Sequence, residues 1–151
     1  MAGSNKRDVA PLDAPIAAAY PTAANKSTAQ WRVYTDIGRD LSSRGRHEEA
    51  GVYLRRALVE AKAGFGDRDP HVAAARNNLA ELYRLQKRWD DAETLYADAA
   101  SALERHYGPG HPAAATATHN LAGCKLAKGD HRGAYKTVSY THLTLPTIPL
   151  V

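Results

Sequence analysis

The sequence predicts an all-α fold, a solenoid of about three helix hairpins of which the last is incomplete. The first observation is a motif that recurs at an offset of 42 residues, as GRHEEA at 45–50, KRWDDA at 87–92 and GDHRGA at 129–134. A second motif keeps this offset, because FGDRDPH at 65–71 returns as YGPGHPA at 107–113. Repeats of this length usually form a solenoid, in which each unit is one supersecondary element that buries its apolar face against its neighbours.

The composition supports a stack of thin helical units. Apolar residues make up 44% of the 151 residues, and alanine supplies much of that share, whereas there are only one Phe and two Trp. Alanine favours helix and allows helices to approach closely. The sequence therefore predicts closely packed helices rather than a thick globular core.

The charge pattern argues against nucleic acid as the main partner. The chain carries 20 basic and 16 acidic residues, for a net charge of +4, and the two signs are interspersed. A nucleic-acid binder usually concentrates its cations on one face. The alternative of a nucleic-acid-associated basic helical protein stays open, and strongly salt-dependent binding to a random duplex would support it.

Two further features bear on the compartment. Cys124 is the only cysteine, so the chain has no internal disulfide and no sign of an oxidising compartment. No run of about 18 apolar residues exists, which excludes a membrane span. We predict a cytoplasmic protein.

Residues 1–27 are predicted to be a disordered leader rich in alanine and proline. Basic residues followed by APLDAPIAAAYPTAA resemble a signal peptide superficially. However, Asp8, Asp13 and three prolines interrupt any continuous apolar segment.

The first repeat unit is predicted over residues 28–69. Ser27 followed by Gln30 matches a capping box at a helix start, and this helix should run to about Arg44. The second helix should extend from about residue 47 to 63, with acidic residues in its first turn, where the helix dipole favours negative charge.

The second unit is predicted over residues 70–111. Asp69 is a good N-cap and Pro70 is tolerated at the first helical position. Apolar residues share one face in each of its helices: Leu79, Ala80 and Tyr83 in the first, and Ala92, Leu95, Tyr96, Ala99 and Leu103 in the second. Small residues recur at Ala50, Ala92 and Ala134, where we expect the two helices of each hairpin to cross closely.

The third unit is predicted over residues 112–138, after which the repeat pattern fails. Residues 139–151 contain no Asp, Glu, Lys or Arg, and Pro146 and Pro149 forbid a regular helix interior. We predict an irregular tail that does not belong to the repeat and is not native to the protein; the alternative is a natural extended tail. Either way, an apolar face of the third hairpin should be uncovered, and we expect it to promote self-association.

These residues resemble the tetratricopeptide repeat, in the 42-residue form found in kinesin light chains and many bacterial proteins. The characteristic spacing is met by Leu79, Ala80, Tyr83, Trp89, Ala92, Tyr96 and Ala99. The first unit departs from it at Ile37 and Gly38, and the third has Lys125 where Tyr83 stands. The resemblance covers about residues 29–138 and implies a right-handed α-α superhelix.

The resemblance also implies a concave groove, lined by the first helix of each hairpin, that holds a peptide or helical segment of a protein partner. The 42-residue step gives these predicted groove residues: Asp36, Arg39, Asn77, Asn78, Glu81, Arg84, His119 and Asn120. An Asn side chain can donate to and accept from a peptide backbone, and an Arg can bind a carboxylate. Asp36 departs from the Asn of the other units and would repel an acidic peptide.

No residue pattern indicates catalysis, and we predict that the protein is not an enzyme. The histidines that flank the PG turn, His106 and His111, belong to no cluster with metal-ligand spacing. GDRD and GPG lack the Gly-Lys-Ser/Thr of a phosphate loop. We therefore expect a protein-interaction scaffold without metal, cofactor or small-molecule substrate, which is a fragment of a larger protein.

Overall fold

The computed structural model describes residues 23–144 and the side chains of residues 25–139. This part of the chain forms α1 Ala23–Ser43, α2 His47–Phe65, α3 Pro70–Leu85, α4 Trp89–Tyr107, α5 Pro112–Ala127 and α6 His131–Thr144. Consecutive helices pair as hairpins, and each hairpin stacks on the next through contacts of α2 with α3 and of α4 with α5. The all-α prediction is confirmed. None of these six helices is long and apolar enough to cross a membrane.

The helix starts at the second and third hairpins follow from their caps. Asp69 has an extended backbone, and its Oδ1 accepts a hydrogen bond of 2.8 Å from the backbone N–H of His71. At the equivalent position His111 caps α5, with Nδ1 accepting from the backbone N–H of Ala113 at 3.2 Å. Each cap satisfies a backbone donor that has no partner within its helix.

The turn inside each hairpin contains one residue with a left-handed backbone. Gly45 and Gly129 have φ of 75° and 85° in the first and third hairpins. Lys87 occupies the same position in the second hairpin with φ of 58°. Only glycine adopts this region without a steric cost.

The three alanines at which we predict the helices of each hairpin to cross are all buried. Ala50 and Ala92 are fully buried, and Ala134 is 3% exposed. Tyr96 is the largest fully buried side chain in the described part of the molecule, and it belongs to a cluster that includes Leu54, Leu82 and residues of all three hairpins. Because neighbouring hairpins share this cluster, each unit depends on the next for burial.

Aromatic and charged contacts join adjacent hairpins. The Trp31 ring of α1 meets Phe65 edge-on at 5.4 Å, and Phe65 stacks on His71 of α3 at 4.0 Å. Lys128, after α5, forms ion pairs with Asp90 at 2.6 Å and Glu93 at 2.7 Å in α4. The stacking is therefore specified by side chains at both junctions.

The predicted start of the first helix is wrong. α1 is already helical at Ala23, so Ser27 lies inside the helix and residues 23–27 are not part of the leader. The Ala-Ala start favours helix strongly. Thr28 Oγ1 donates to the carbonyl of Asn25 at 2.9 Å, which is a hydrogen bond that a hydroxyl makes within a helix. The rest of the predicted leader, residues 1–22, lies outside the described residues.

Two predicted helix ends also differ from the structure. α2 ends at Phe65 instead of residue 63, and α6 continues beyond residue 138 to Thr144. A proline excludes the helix at its own position and disfavours it at the residue before. Pro146 is therefore compatible with helix up to Thr144, so residues 139–144 are not irregular. The remainder of the predicted tail, residues 145–151, lies outside the described residues.

Candidate functional site

A cleft of about 330 Å³ lies between the first helices of the first two hairpins, and we call it the α1–α3 cleft. The repeat places one side of α1 beside the equivalent side of α3, with Leu54 of α2 behind them. The lining residues are Arg39, Ser42, Ser43, Leu54, Asn78, Glu81, Leu82 and Leu85. Three of the eight predicted groove residues, Arg39, Asn78 and Glu81, therefore meet here.

Glu81 is held by a hydrogen-bond network that reaches the second helix of its own hairpin. Arg84 donates from Nε to Glu81 Oε2 at 2.9 Å and from Nη2 to Oε1. The hydroxyl of the buried Tyr96 donates to Oε2 at 2.7 Å. One carboxylate thus accepts three hydrogen bonds and ties the cleft wall to the hairpin core.

This network shifts the pKa of each of its members. The hydrogen bond from Arg84 is the largest influence on Glu81, and with the Tyr96 hydrogen bond it outweighs partial burial, so the pKa of Glu81 lies below its ordinary value. Burial and the Glu81 carboxylate raise the pKa of Tyr96, and Glu81 raises the pKa of Arg84. Glu81 is therefore ionised and Tyr96 protonated near neutral pH.

The charges of the cleft are divided unequally between its two walls. Arg84 is committed to Glu81, and the two neutralise each other. Arg39, on the α1 wall, is exposed and forms no ion pair with any residue in the described range 23–144. The cleft thus offers one unpaired cation, where the sequence predicted two.

The two adjacent asparagines of α3 face different surroundings. Asn78 lines the cleft. Asn77 does not, and its Oδ1 is buried without a hydrogen-bond partner in the described part of the chain. Thr35, at the equivalent position of α1, likewise has a buried Oγ1 without a partner there. The side chains of Thr35 and Asn77 thus turn towards the protein interior, whereas His119, one repeat step further, is exposed.

The remaining predicted residues do not meet in the cleft. Asp36 is exposed on α1, and His119 and Asn120 lie on α5, one hairpin further along. The structure therefore leaves Asn78 in the cleft and Asn120 one hairpin further along the stack.

Sequence reasoning missed the exposed apolar residue of the cleft. Leu85 is 44% exposed at the end of α3 and lines the cleft together with Ser43. These two residues are one repeat step apart, so the offset that identified Asn78 would also have identified them. The available signal in the sequence was a leucine three residues after Leu82. The structure buries Leu82 and exposes Leu85.

A second cavity, of about 370 Å³, lies between α4, α5 and α6. Ala100, Ala114 and Thr137 are among its lining residues. At the corresponding positions one repeat earlier stand the larger Leu58, Val72 and Leu95. The cavity exists because these side chains of α4, α5 and α6 are smaller than their counterparts one repeat earlier.

The described residues contain no cluster of three or more His, Cys, Asp or Glu side chains suited to a metal ion. Cys124 is buried, and its thiol donates to the carbonyl of Trp89 at 3.3 Å. Burial and nearby carboxylates raise the pKa of Cys124, which disfavours the reactive thiolate. Cys124 therefore packs as a small apolar residue.

Comparison with known proteins identifies the repeat. The sequence profile of the tetratricopeptide repeat matches residues 28–105 and, in a second placement, residues 71–135. These two placements together span well over half of the chain. No curated protein matches the sequence.

Solved structures with the same fold include kinesin light chain repeats. Two structures from Podospora anserina, described as nearly identical TPR-like repeats of a kinesin light chain, each match with a TM-score of 0.67. Their sequence identities are 18% and 19%, over 83% and 87% of this chain. The matches cover 58% and 64% of those two proteins, so the chain spans about three fifths of their length.

A third similar structure is BtubC (BKLC) from P. vanneervenii. It matches with a TM-score of 0.55 and 16% identity, over 80% of this chain and 68% of that protein. These similarities confirm the predicted right-handed α-α solenoid of the kinesin-light-chain-like type.

Proposed function

Since this chain belongs to the tetratricopeptide repeat family, we propose that it is a protein-interaction scaffold that holds a peptide or helical segment of a partner in the α1–α3 cleft. The observation that carries this proposal is the convergence of Arg39 and Asn78, from two successive hairpins, on one cleft. A scaffold of packed helices is rigid enough to present such groups together.

The three kinds of group in the cleft each recognise a different part of a peptide. The Asn78 amide can donate to and accept from a peptide backbone, without selecting a side chain. Arg39 is free to bind a carboxylate, because no described residue neutralises it. Leu85 supplies an exposed apolar contact. The preferred ligand is therefore a segment with an acidic residue close to an apolar one.

The other predicted groove residues extend this site in both directions. Asp36, on the same helix as Arg39, repels an acidic group, so the carboxylate of the ligand binds on the Arg39 side. A ligand that continues along the stack reaches Asn120 and His119 on α5. Asn77 is not part of the proposed contact surface, since its side-chain oxygen is buried.

A peptide array tests the groove directly. Wild type and the variants Asn78→Ala/Asn120→Ala and Arg39→Ala are compared on the same array of acidic and neutral peptides. We expect Arg39→Ala to lose acidic peptides selectively, and the double Asn variant to weaken binding irrespective of the peptide side chains, by roughly 1 kcal/mol for each lost hydrogen bond.

The matched control is Arg44→Ala. Arg44 is an exposed arginine that pairs with Asp40 and does not line the cleft. Equal binding by wild type, Arg39→Ala and the double Asn variant would count against the groove.

A further inference from the structure

The solvent-facing side of α2 carries a second surface outside the groove. Val52, Arg55, Arg56 and Val59 are all exposed, and we call them the outer face of α2. Their spacing of three, four and seven residues places them side by side on one side of the helix. The valines are 42% and 65% exposed.

The repeat itself shows that the fold does not require these residues. One step along the chain, α4 has Thr94, Ala97, Asp98 and Ser101 at the same positions, with no bulky apolar side chain and no cation. α4 still forms a regular helix and buries its opposite face. The valines and arginines of α2 are therefore an addition to what packing needs.

The same comparison shows that the outer face is not a stacking face. In the middle hairpin, which has a neighbour on each side, Thr94, Asp98 and Ser101 remain exposed. By contrast, Val33 and Ile37 of α1 correspond to Ala75 and Leu79, which are 1% and 4% exposed there. Stacking of a further hairpin would thus cover Val33 and Ile37, whereas the outer face of α2 would stay accessible.

The two arginines are available to a ligand. Within residues 23–144 neither Arg55 nor Arg56 forms an ion pair, and the Arg56 guanidinium carbon lies 6.0 Å from the Tyr34 ring centroid. An arginine near an aromatic ring keeps its N–H groups free for a carboxylate.

The acidic neighbours of the outer face are mostly engaged elsewhere. Glu48 accepts a hydrogen bond from Gln86, and Glu49 pairs with Arg46. Glu60, one turn after Arg56, is half-buried. Because neither Glu48 nor Glu60 pairs with Arg55 or Arg56, the two cations stay available between the two apolar side chains of the outer face.

We propose that the outer face of α2 is a docking site for an acidic amphipathic helix of a partner protein, separate from the groove. Apolar side chains of that helix contact Val52 and Val59, while its flanking carboxylates bind Arg55 and Arg56. Helices dock in this way through residues three or four apart. Charge complementarity selects an acidic helix over a basic one.

The test uses a fluorescent peptide of about 15 residues, with leucines on one side of the helix and glutamates beside them. Anisotropy measures its binding to the wild-type chain and to a variant that carries the α4 residues, Val52→Thr/Arg55→Ala/Arg56→Asp/Val59→Ser. Because α4 folds with these residues, the variant should keep its circular dichroism and melting temperature. Its dissociation constant should rise by at least about tenfold, as expected when the central contacts of an interface are lost.

Two controls separate this proposal from its alternatives. The charge-only variant Arg55→Ala/Arg56→Asp keeps both valines and should lose most of the affinity even if the fourfold variant folds poorly. The control is Arg44→Ala, at an exposed arginine that pairs with Asp40 and lies outside both surfaces, and it should bind the peptide as wild type does. All variants are also compared in an Arg39→Ala background, so that any binding of the peptide in the groove does not contribute to the difference.

The proposal is overturned if the wild-type chain does not bind the glutamate peptide or if the charge-only variant binds it equally well. Equal binding of a matched lysine peptide would also overturn it, since charge would then play no part. Binding of phosphatidylserine vesicles in place of the peptide would identify a membrane surface and reject the protein helix.

Discussion

At the scale of single residues, the groove depends on which charges are already paired. Glu81 and Arg84 are three residues apart on one helix, a spacing at which side chains meet, so their ion pair was readable from the sequence. The hydrogen bond from Tyr96 to Glu81 could not be predicted from the sequence, because it depends on how α4 packs against α3. Arg39 is left as the cation available to a ligand.

The backbone of Lys87 is an independent test at this scale. Lys87→Gly places in the second hairpin the residue that the first and third hairpins have, at Gly45 and Gly129. Relief of the left-handed strain should exceed the entropy cost of glycine and stabilise the protein by up to about 1 kcal/mol. Urea unfolding measures the change. Gly129→Ala is the matched control and should destabilise; a loss of stability in Lys87→Gly would contradict the assigned turn.

The Glu81 network predicts a pH dependence. The folded-state pKa of Glu81 is below its ordinary value of 4.5, so its stabilising effect is complete above that value and is lost as the pH falls through the folded pKa. Because Glu81 and Arg84 are 48% and 42% exposed, solvent screening keeps the effect modest.

Melting temperatures between neutral pH and about pH 3 check this effect in wild type and Glu81→Gln. The wild type should lose more stability on acidification than the variant, because Gln cannot be protonated in this range. Parallel pH curves for the two proteins would contradict the role given to Glu81.

At the scale of helices, the sequence predicts the first residue of a helix better than the last. Asp69 with Pro70 marks the start of α3, because a local cap and a fixed proline backbone specify it. The start of α1 was misplaced, since Ser27 satisfies the capping pattern but continues a helix that is already formed. The extent of α6 was underestimated because a proline acts only close to its own position.

Two alanine-to-leucine substitutions in α4, one at a packed position and one beside a cavity, test the packing between helices. Ala92→Leu inserts bulk at a fully buried helix crossing and should cost roughly 1–3 kcal/mol. Ala100→Leu adds the same atoms to α4 but directs them into the 370 Å³ cavity, at the position where α2 has Leu58. It should leave the melting temperature unchanged or raise it. Thermal melts that rank the two variants in the opposite order would contradict the register.

At the scale of the whole molecule, the 42-residue offset predicts the stacking order and the groove rows. It does not predict which members of a row face a cleft, because that depends on the rotation between hairpins. Asn78 lines the α1–α3 cleft, while Asn120 at the same repeat position lies beyond it. The contacts at the junctions keep the 42-residue step but differ in chemistry, since the ion pair of Lys128 with Asp90 corresponds to a hydrogen bond from Gln86 to Glu48.

An exposed apolar residue on α6 is the basis for our proposal that the third hairpin promotes self-association. Val138 is 46% exposed, whereas Tyr96 at the equivalent position is fully buried. Val138→Glu should shift the chain towards the monomer in sedimentation velocity. Ala63→Glu, at an exposed position of α2, is the control and should have no effect. Identical sedimentation of all three proteins would reject this surface.

The central claim is that the α1–α3 cleft binds a peptide. The most direct measurement is a two-dimensional amide NMR titration of the labelled chain with an acidic peptide selected on the array. We predict that the largest shift changes occur at Arg39, Asn78 and Leu85, with little change on α6. Changes confined to the convex side of α2 and α4, or their absence at saturating peptide, would contradict it.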